Sequence, residues 1–146
     1  MRILLSPDDA ANGTFNCTNN FVPDGASEKA FVLGPDGAPL SRATGRVEIL
    51  AADGTVLSSS QDGTGNALGG DGLFFLGVMS VPGGRLGGTG RVTLRAWDSA
   101  SGATFAEASV KGQVSIGLPS LDGGLKPPDN LSDSDFRGMQ LSGSLG

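Results

Sequence analysis

Glycine next to a turn-forming residue recurs along the whole of this chain and limits each apolar stretch to a few residues. The 146 residues include 25 glycines, more than twice the usual share of about 7%. Many of them adjoin Asp, Asn, Ser or Pro, and such pairs favour turns because glycine adopts positive φ without steric cost. Apolar residues nowhere recur at helical spacing without an intervening glycine. The pattern predicts an all-β fold, an antiparallel β-sandwich (Ig-like or jelly-roll-like) of about seven to nine short strands with Gly-rich loops.

Alternation of apolar and polar residues, or a short apolar run, marks the predicted strands. Cys17 lies on the apolar face of the first of them. The stretch 73–81 is apolar on both faces, which predicts a strand covered on both sides. We expect strands at residues 14–21, 30–33, 46–52, 55–59, 73–81, 90–97, 104–110 and 113–118.

The first of two predicted hairpins turns at residues 53–54, an Asp-Gly pair. This dipeptide suits a two-residue type I′ turn, which pairs Ala51 with Val56 and Leu50 with Leu57. The register puts Val56 on the core face. It leaves Leu50 and Leu57 together on the second face, which is therefore not wholly polar.

The second predicted hairpin joins residues 90–97 to residues 104–110 through a three-residue loop that ends in glycine. On its outer face Trp97 lies opposite Phe105, and Arg95 lies opposite Glu107. A slip of one residue would carry Glu107 into the core, which favours this register.

The composition divides the chain into two parts. Residues 1–118 are predicted to form the β-sandwich domain, and residues 119–146 an extended tail rich in Pro, Gly and Ser. Within this tail, Phe136, Met139 and Leu141 offer apolar side chains that could dock a short segment.

Missing residue types limit the chemistry that this chain can perform. The sequence has no histidine, so a serine or cysteine nucleophile lacks its usual base and zinc lacks its commonest ligand. No glycine-rich stretch ends as a phosphate-binding loop does. We therefore expect a protein that is not an enzyme and that needs no cofactor.

Two further features invite a functional interpretation, and each has a simpler one. Residues 129–135 (DNLSDSD) carry oxygen ligands of the kind that calcium prefers, but they lack the Gly and the closing Glu of an EF-hand loop. We interpret them as a solvated acidic turn and expect no metal. Cys17, the single cysteine, is interpreted as a small apolar side chain on a strand, with an intermolecular disulfide as the alternative.

The charge balance excludes two classes of partner. Ten basic and fifteen acidic residues give a net charge of −5, and the basic residues form no stripe that could follow a phosphate backbone. We expect no nucleic acid and no anionic membrane surface as partner. No apolar run approaches the roughly 20 residues of a membrane-spanning helix.

Two sets of side chains are candidates for recognition. The first is a surface patch with an aromatic shelf, of the kind that grips a sugar ring or a protein partner. It comprises Trp97, Phe105, Arg95 and Glu107, and the alternative is that a loop or the tail folds over it. The second is the surplus of apolar residues on second faces, which implies cover by another part of the chain or by another subunit. It comprises Leu50, Leu57, Phe74, Phe75 and Leu76.

The chain resembles small secreted β-domain proteins of Verrucomicrobia and Planctomycetes, many of which carry a signal peptide and a PEP-CTERM-type sorting tail. The resemblance lies in residues 12–19 (NGTFNCTN), 45–50 (GRVEIL), 92–98 (VTLRAWD) with 101–105 (SGATF), and in the layout of 124–141. It implies export and an extracellular or cell-surface location, and it brings no site residues with it. The chain departs from the group at residues 1–5, which are too short for the apolar region of a signal peptide.

Three hypotheses about function follow. The first is a non-enzymatic, secreted structural or interaction module, a self-assembling subunit of an extracellular filament or layer that contacts itself or another cell-surface protein. The alternative is a carbohydrate-binding module that uses the shelf at Trp97 and Phe105. A third option is a calcium-stabilised adhesin.

Overall fold

The computed structural model describes residues 12–23, 25–52, 54–58, 65–85, 90–118, 129–131 and 134–143. These residues form strands and turns without an α-helix, so the prediction of an all-β fold is confirmed. The strands are β1 (Asn12–Thr18), β2 (Val32–Leu33), β3 (Gly45–Ala51), β4 (Val56–Ser58), β5 (Asn66–Ala67), β6 (Phe75–Arg85), β7 (Gly90–Asp98), β8 (Lys111–Leu118), β9 (Asp129–Asn130) and β10 (Met139–Gln140).

Two sheets pack face to face around one core. A three-stranded sheet has the order β6-β1-β9, and a five-stranded sheet has the order β4-β3-β7-β8 with β5 also paired to β3. The short strands β10 and β2 form a separate parallel pair. Alternate residues of the facing strands fill the core, among them Phe15, Cys17, Val47, Ile49, Val92, Leu94, Ile116 and Leu118. The packing is sandwich-like, as the sequence predicts.

The predicted turn between β3 and β4 is wrong by one residue. The N–H of Ala51 donates to the C=O of Thr55 at 2.7 Å, and the N–H of Gly54 donates to the C=O of Ala51 at 2.9 Å. Gly54 has a φ of 93°, the left-handed conformation that ends a three-residue hairpin loop. Leu50 therefore pairs with Val56, and Val56 is exposed instead of lying in the core.

The second predicted hairpin is not formed. β7 pairs along its length with β8, so that Trp97 lies opposite Lys111 and Leu94 lies opposite Val114. Residues 99–110, which include the predicted strand 104–110, form a series of turns instead. The hydroxyl of Ser101 fixes their return, because it accepts hydrogen bonds from the N–H groups of Ser109 (3.2 Å) and Val110 (3.0 Å).

Strand β6 differs from its prediction at both ends. It begins at Phe75 and continues to Arg85, so it extends into a stretch predicted to be a connection. Its pairing with β1 is interrupted where Cys17 meets Gly77 and Thr18 meets Phe75. Gly77 has a φ of 80°, as the glycine of a β-bulge does.

The C-terminal segment belongs to the domain, which corrects the predicted boundary at residue 118. Leu131, Phe136 and Leu141 are buried in the core, and the Phe136 ring packs edge-on against Phe74 at 6.1 Å between centroids. β10 pairs with β2, and β9 pairs with β1. The segment was predicted to be a tail because it is rich in Pro, Gly and Ser. Residues 119–128 of that tail and the N-terminal residues 1–11 lie outside the described ranges.

Candidate functional site

Trp97, predicted to be half of an exposed shelf, is fully buried. One edge of its indole ring lies against Gly65. Its Nε1–H donates to the C=O of Ala103 at 3.4 Å, and the ring of Phe105 meets it edge to face at 6.0 Å between centroids. A ligand therefore has no access to the Trp97 ring in this structure, because the turns of residues 99–110 lie over it. Of the two interpretations of the shelf, the structure has the covered one.

Phe105 contacts Trp97 as predicted, but it does so from a turn and not from a paired strand. The guanidinium carbon of Arg95 lies 4.7 Å from the centre of the Phe105 ring, and Lys111 Nζ lies 4.8 Å from it. Both distances are within the range of cation–π attraction. Lys111 Nζ also donates to the Phe105 C=O at 3.0 Å. The two cations thus hold this half-buried ring in place.

Arg95 forms an ion pair with Glu48, which corrects the prediction that Glu107 lies opposite it. Glu48 lies opposite Arg95 in the β3–β7 register, and its Oε1 is 3.4 Å from Arg95 Nη1. Glu48 is buried. Glu107 instead accepts a hydrogen bond from the Thr104 hydroxyl at 3.0 Å. Of the predicted patch, the structure brings Trp97, Phe105 and Arg95 together.

The predicted assembly residues do not share one surface. Leu50 and Phe74 are buried, and Leu57 and Leu76 are partly buried against the core. Phe75 alone of the five is largely exposed, at 51%. The exposure of two other apolar residues, Val22 and Val56, was not predicted from the sequence. Val56 was assigned to the core by the wrong register, and Val22 lies in a connection without strand periodicity.

The outer edges of the two sheets differ in whether other described residues form hydrogen bonds with their backbone. Along β8, Ser142 exchanges two hydrogen bonds of 3.1 Å with Lys111, and Asp135 accepts from the N–H of Gly117 at 2.7 Å. The C-terminal segment thus covers both ends of that edge. Along β6, the backbone groups of residues 75–80 that face away from β1 bind no other described backbone group. We call this side of residues 75–80 the β6 edge.

The acidic stretch 129–135 and Cys17, the other two features considered from the sequence, contribute to the fold through Asp135 and the Cys17 side chain. Asp135 binds the backbone of β8, while Ser132 and Asp133 of the acidic stretch lie outside the described residues. Within the described ranges no three metal-ligating side chains come together. Cys17 is buried in the core, as its interpretation as an apolar residue predicts, and burial raises the pKa of its thiol to about 12.

Among the described residues, the stretch 25–41 contributes to the lining of two cavities. A cavity of about 450 Å³ is lined by residues 25–29, Phe31, Leu33 and 137–139, which include the cations Lys29 and Arg137. A second, of about 350 Å³, is lined by residues 34–41 in part and by Asp98, Val110 and Gly143. No described helix is long and apolar enough to cross a membrane.

Comparison of the chain with protein-family models, with curated proteins and with solved structures finds no match.

Proposed function

We propose that this chain is a non-enzymatic, extracellular interaction domain that associates with a second copy of itself through the β6 edge. The observation that carries the proposal is the 51% exposure of Phe75 on an edge strand whose outward backbone groups have no described partner. Unpaired N–H and C=O groups along a strand edge are a template for pairing with another strand. An exposed aromatic residue adjoining that template adds apolar area to the contact.

The difference between the two sheets supports the choice of edge. At β8 the chain supplies its own backbone partners through Ser142 and Asp135, which is one way in which proteins protect an edge. The described part of β6 has no such cover. Two copies of β6 related by a two-fold axis would present the same residues to each other, as in most homodimers.

A filament or layer needs a second contact besides the β6 edge. Val56 is 49% exposed on β4, at the opposite sheet's edge, and offers an apolar position for it. The extracellular location is part of the proposal and rests on the resemblance of residues 12–19, 45–50, 92–98 and 101–105 to secreted β-domain proteins. The buried position of Trp97 gives the carbohydrate-binding alternative less support than self-association.

Sedimentation velocity over a wide range of protein concentration tests the proposal. We expect a concentration-dependent shift toward dimer or larger species, and we expect Phe75→Ser to weaken it by at least about tenfold, or about 1.4 kcal/mol. Val22→Ser is the matched control, because Val22 is 53% exposed and lies outside the strands. A protein that stays monomeric at every concentration, or equal effects of the two substitutions, would contradict the proposal.

A further inference from the structure

The cavity beside the β2–β10 pair combines cations with an apolar floor. Phe31, Leu33 and Met139 line it and are half-buried, while Val32 between the first two points into the core. Its volume of about 450 Å³ falls in the usual range for small-molecule sites, roughly 300–1,000 Å³. The strand alternation thus supplies one side chain to the core and two to this cavity.

One cation of the cavity is held in a fixed orientation. Arg137 Nη1 donates to the C=O groups of Ser134 (2.7 Å) and Phe136 (3.0 Å). These two bonds use both protons of Nη1 and leave the edge formed by Nε and Nη2 without a bond to a described residue. That edge of a guanidinium matches the two oxygens of a carboxylate. Anchoring on one side therefore orients the other side for a bidentate contact.

The cationic charge of the cavity exceeds its anionic charge. Lys29 lines the same cavity as Arg137, and Glu28 is the carboxylate that accompanies them. Among the described residues, neither cation lies within 4.0 Å of a carboxylate oxygen. Gly138 has a φ of 106° and lies close to the C=O of Phe31. Arg137, the residue before it, is therefore next to the apolar residues of the cavity.

We propose that this cavity binds a small ligand in which one carboxylate is joined to an apolar body, with Arg137 and Lys29 at the carboxylate and Phe31, Leu33 and Met139 at the apolar part. Two sources have this chemistry, a free aliphatic acid and the C-terminal residue of a peptide chain. The site is separate from the β6 edge and does not depend on self-association.

Calorimetric or NMR titration of the full chain tests the site with octanoate and with N-acetylphenylalanine. The matched neutral probes are octanol and N-acetylphenylalanine amide. We expect at least one acid to bind about tenfold or more tightly than its neutral analogue, because charge-assisted bidentate bonds are stronger than neutral ones. Binding of octanoate alone identifies a free acid as the ligand class, and binding of N-acetylphenylalanine alone identifies a chain terminus.

Variants separate this site from unspecific binding. Arg137→Gln and Lys29→Gln should each weaken the acid about threefold to tenfold, whereas Arg42→Gln, at an exposed position outside the cavity, should leave it unchanged. The Lys29 side chain makes no hydrogen bond to the backbone of a described residue, so Lys29→Gln tests the site if Arg137→Gln disturbs the fold. Equal affinity for acid and neutral probe, no binding of either acid at millimolar concentration, or equal effects of Lys29→Gln and Arg42→Gln would overturn the proposal.

Discussion

Asn19 Oδ1 accepts a hydrogen bond of 2.7 Å from the backbone N–H of Phe74, across 55 residues of chain. The same side chain donates from Nδ2 to the C=O of Ala30 at 2.9 Å and to the C=O of Gly72 at 2.8 Å. Asn19 is fully buried. Its amide thus serves three backbone groups that approach from two other segments, and it joins the end of β1 to the starts of β2 and β6.

Replacement of Asn19 should be among the most damaging single changes in the chain. Asn19→Ala leaves the buried N–H of Phe74 and the buried C=O of Ala30 without this partner, and each such group costs about 1–3 kcal/mol. The C=O of Gly72 keeps its bond from the N–H of Val32. We expect a loss of at least about 2 kcal/mol in the free energy of unfolding, measured by urea denaturation. Asn20→Ala, one residue along and exposed, should change it by less than about 0.5 kcal/mol. Similar losses for the two variants would contradict this account.

Gly65 limits the space beside Trp97. Gly65 and Gly25 both have a φ of +81°, but the Trp97 ring adjoins Gly65, whereas no described atom lies within 4 Å of a Cβ at Gly25. We expect Gly25→Ala to cost about 1–2 kcal/mol from the left-handed backbone alone. Gly65→Ala should cost about 1–3 kcal/mol more because it overpacks the ring.

Trp97 is the only tryptophan, so its fluorescence reports on the same change. Acrylamide should quench the native protein weakly and the Gly65→Ala variant more strongly, with Gly25→Ala resembling the native protein. Strong quenching of the native protein would show that the ring is not buried.

A double-mutant cycle distinguishes the observed partner of Arg95 from the predicted one. We expect a coupling free energy of about 0.5 kcal/mol or more between Arg95→Ala and Glu48→Ala, because the two side chains are in contact. The cycle of Arg95→Ala with Glu107→Ala should give a coupling near zero. Both coupling free energies are measured by thermal or urea unfolding at neutral pH. A larger coupling of Arg95 with Glu107 than with Glu48 would support the predicted hairpin instead.

Burial of Cys17 should make the protein less stable at alkaline pH. The pKa of the thiol rises from 9.0 to about 12 in the folded state, so above pH 9 the unfolded chain releases a proton that the folded chain retains. Relative to Cys17→Ala, the free energy of unfolding should fall with pH by up to about 1.4 kcal/mol per pH unit between 9 and about 12. Below pH 9 the two curves should run parallel. Parallel curves over the whole range would mean that the thiol is accessible to water.

Several strands could be predicted from the sequence because their signal is local. Alternation within residues 46–52, 90–97 and 113–118 gave β3, β7 and β8, and it placed Val92 and Leu94 in the core. The partner strand of β7 was predicted wrongly. The predicted hairpin opposed Leu94 with an alanine, whereas β8 opposes it with Val114 and opposes Val92 with Ile116. The larger cross-strand pairs bury more apolar area, and a nearby turn sequence does not outweigh that gain.

The sequence alone determined the all-β class, since glycine-bounded apolar stretches of this length cannot form long helices, and it determined which stretches have an apolar face. Only the tertiary structure decided what covers those faces. Phe136 and Leu141 reach the core from a segment that lacks strand periodicity, Trp97 is buried by Gly65 and Phe105, and Phe75 remains exposed. Cover of this kind comes from residues far apart in the chain, whose meeting depends on the packing of the whole domain.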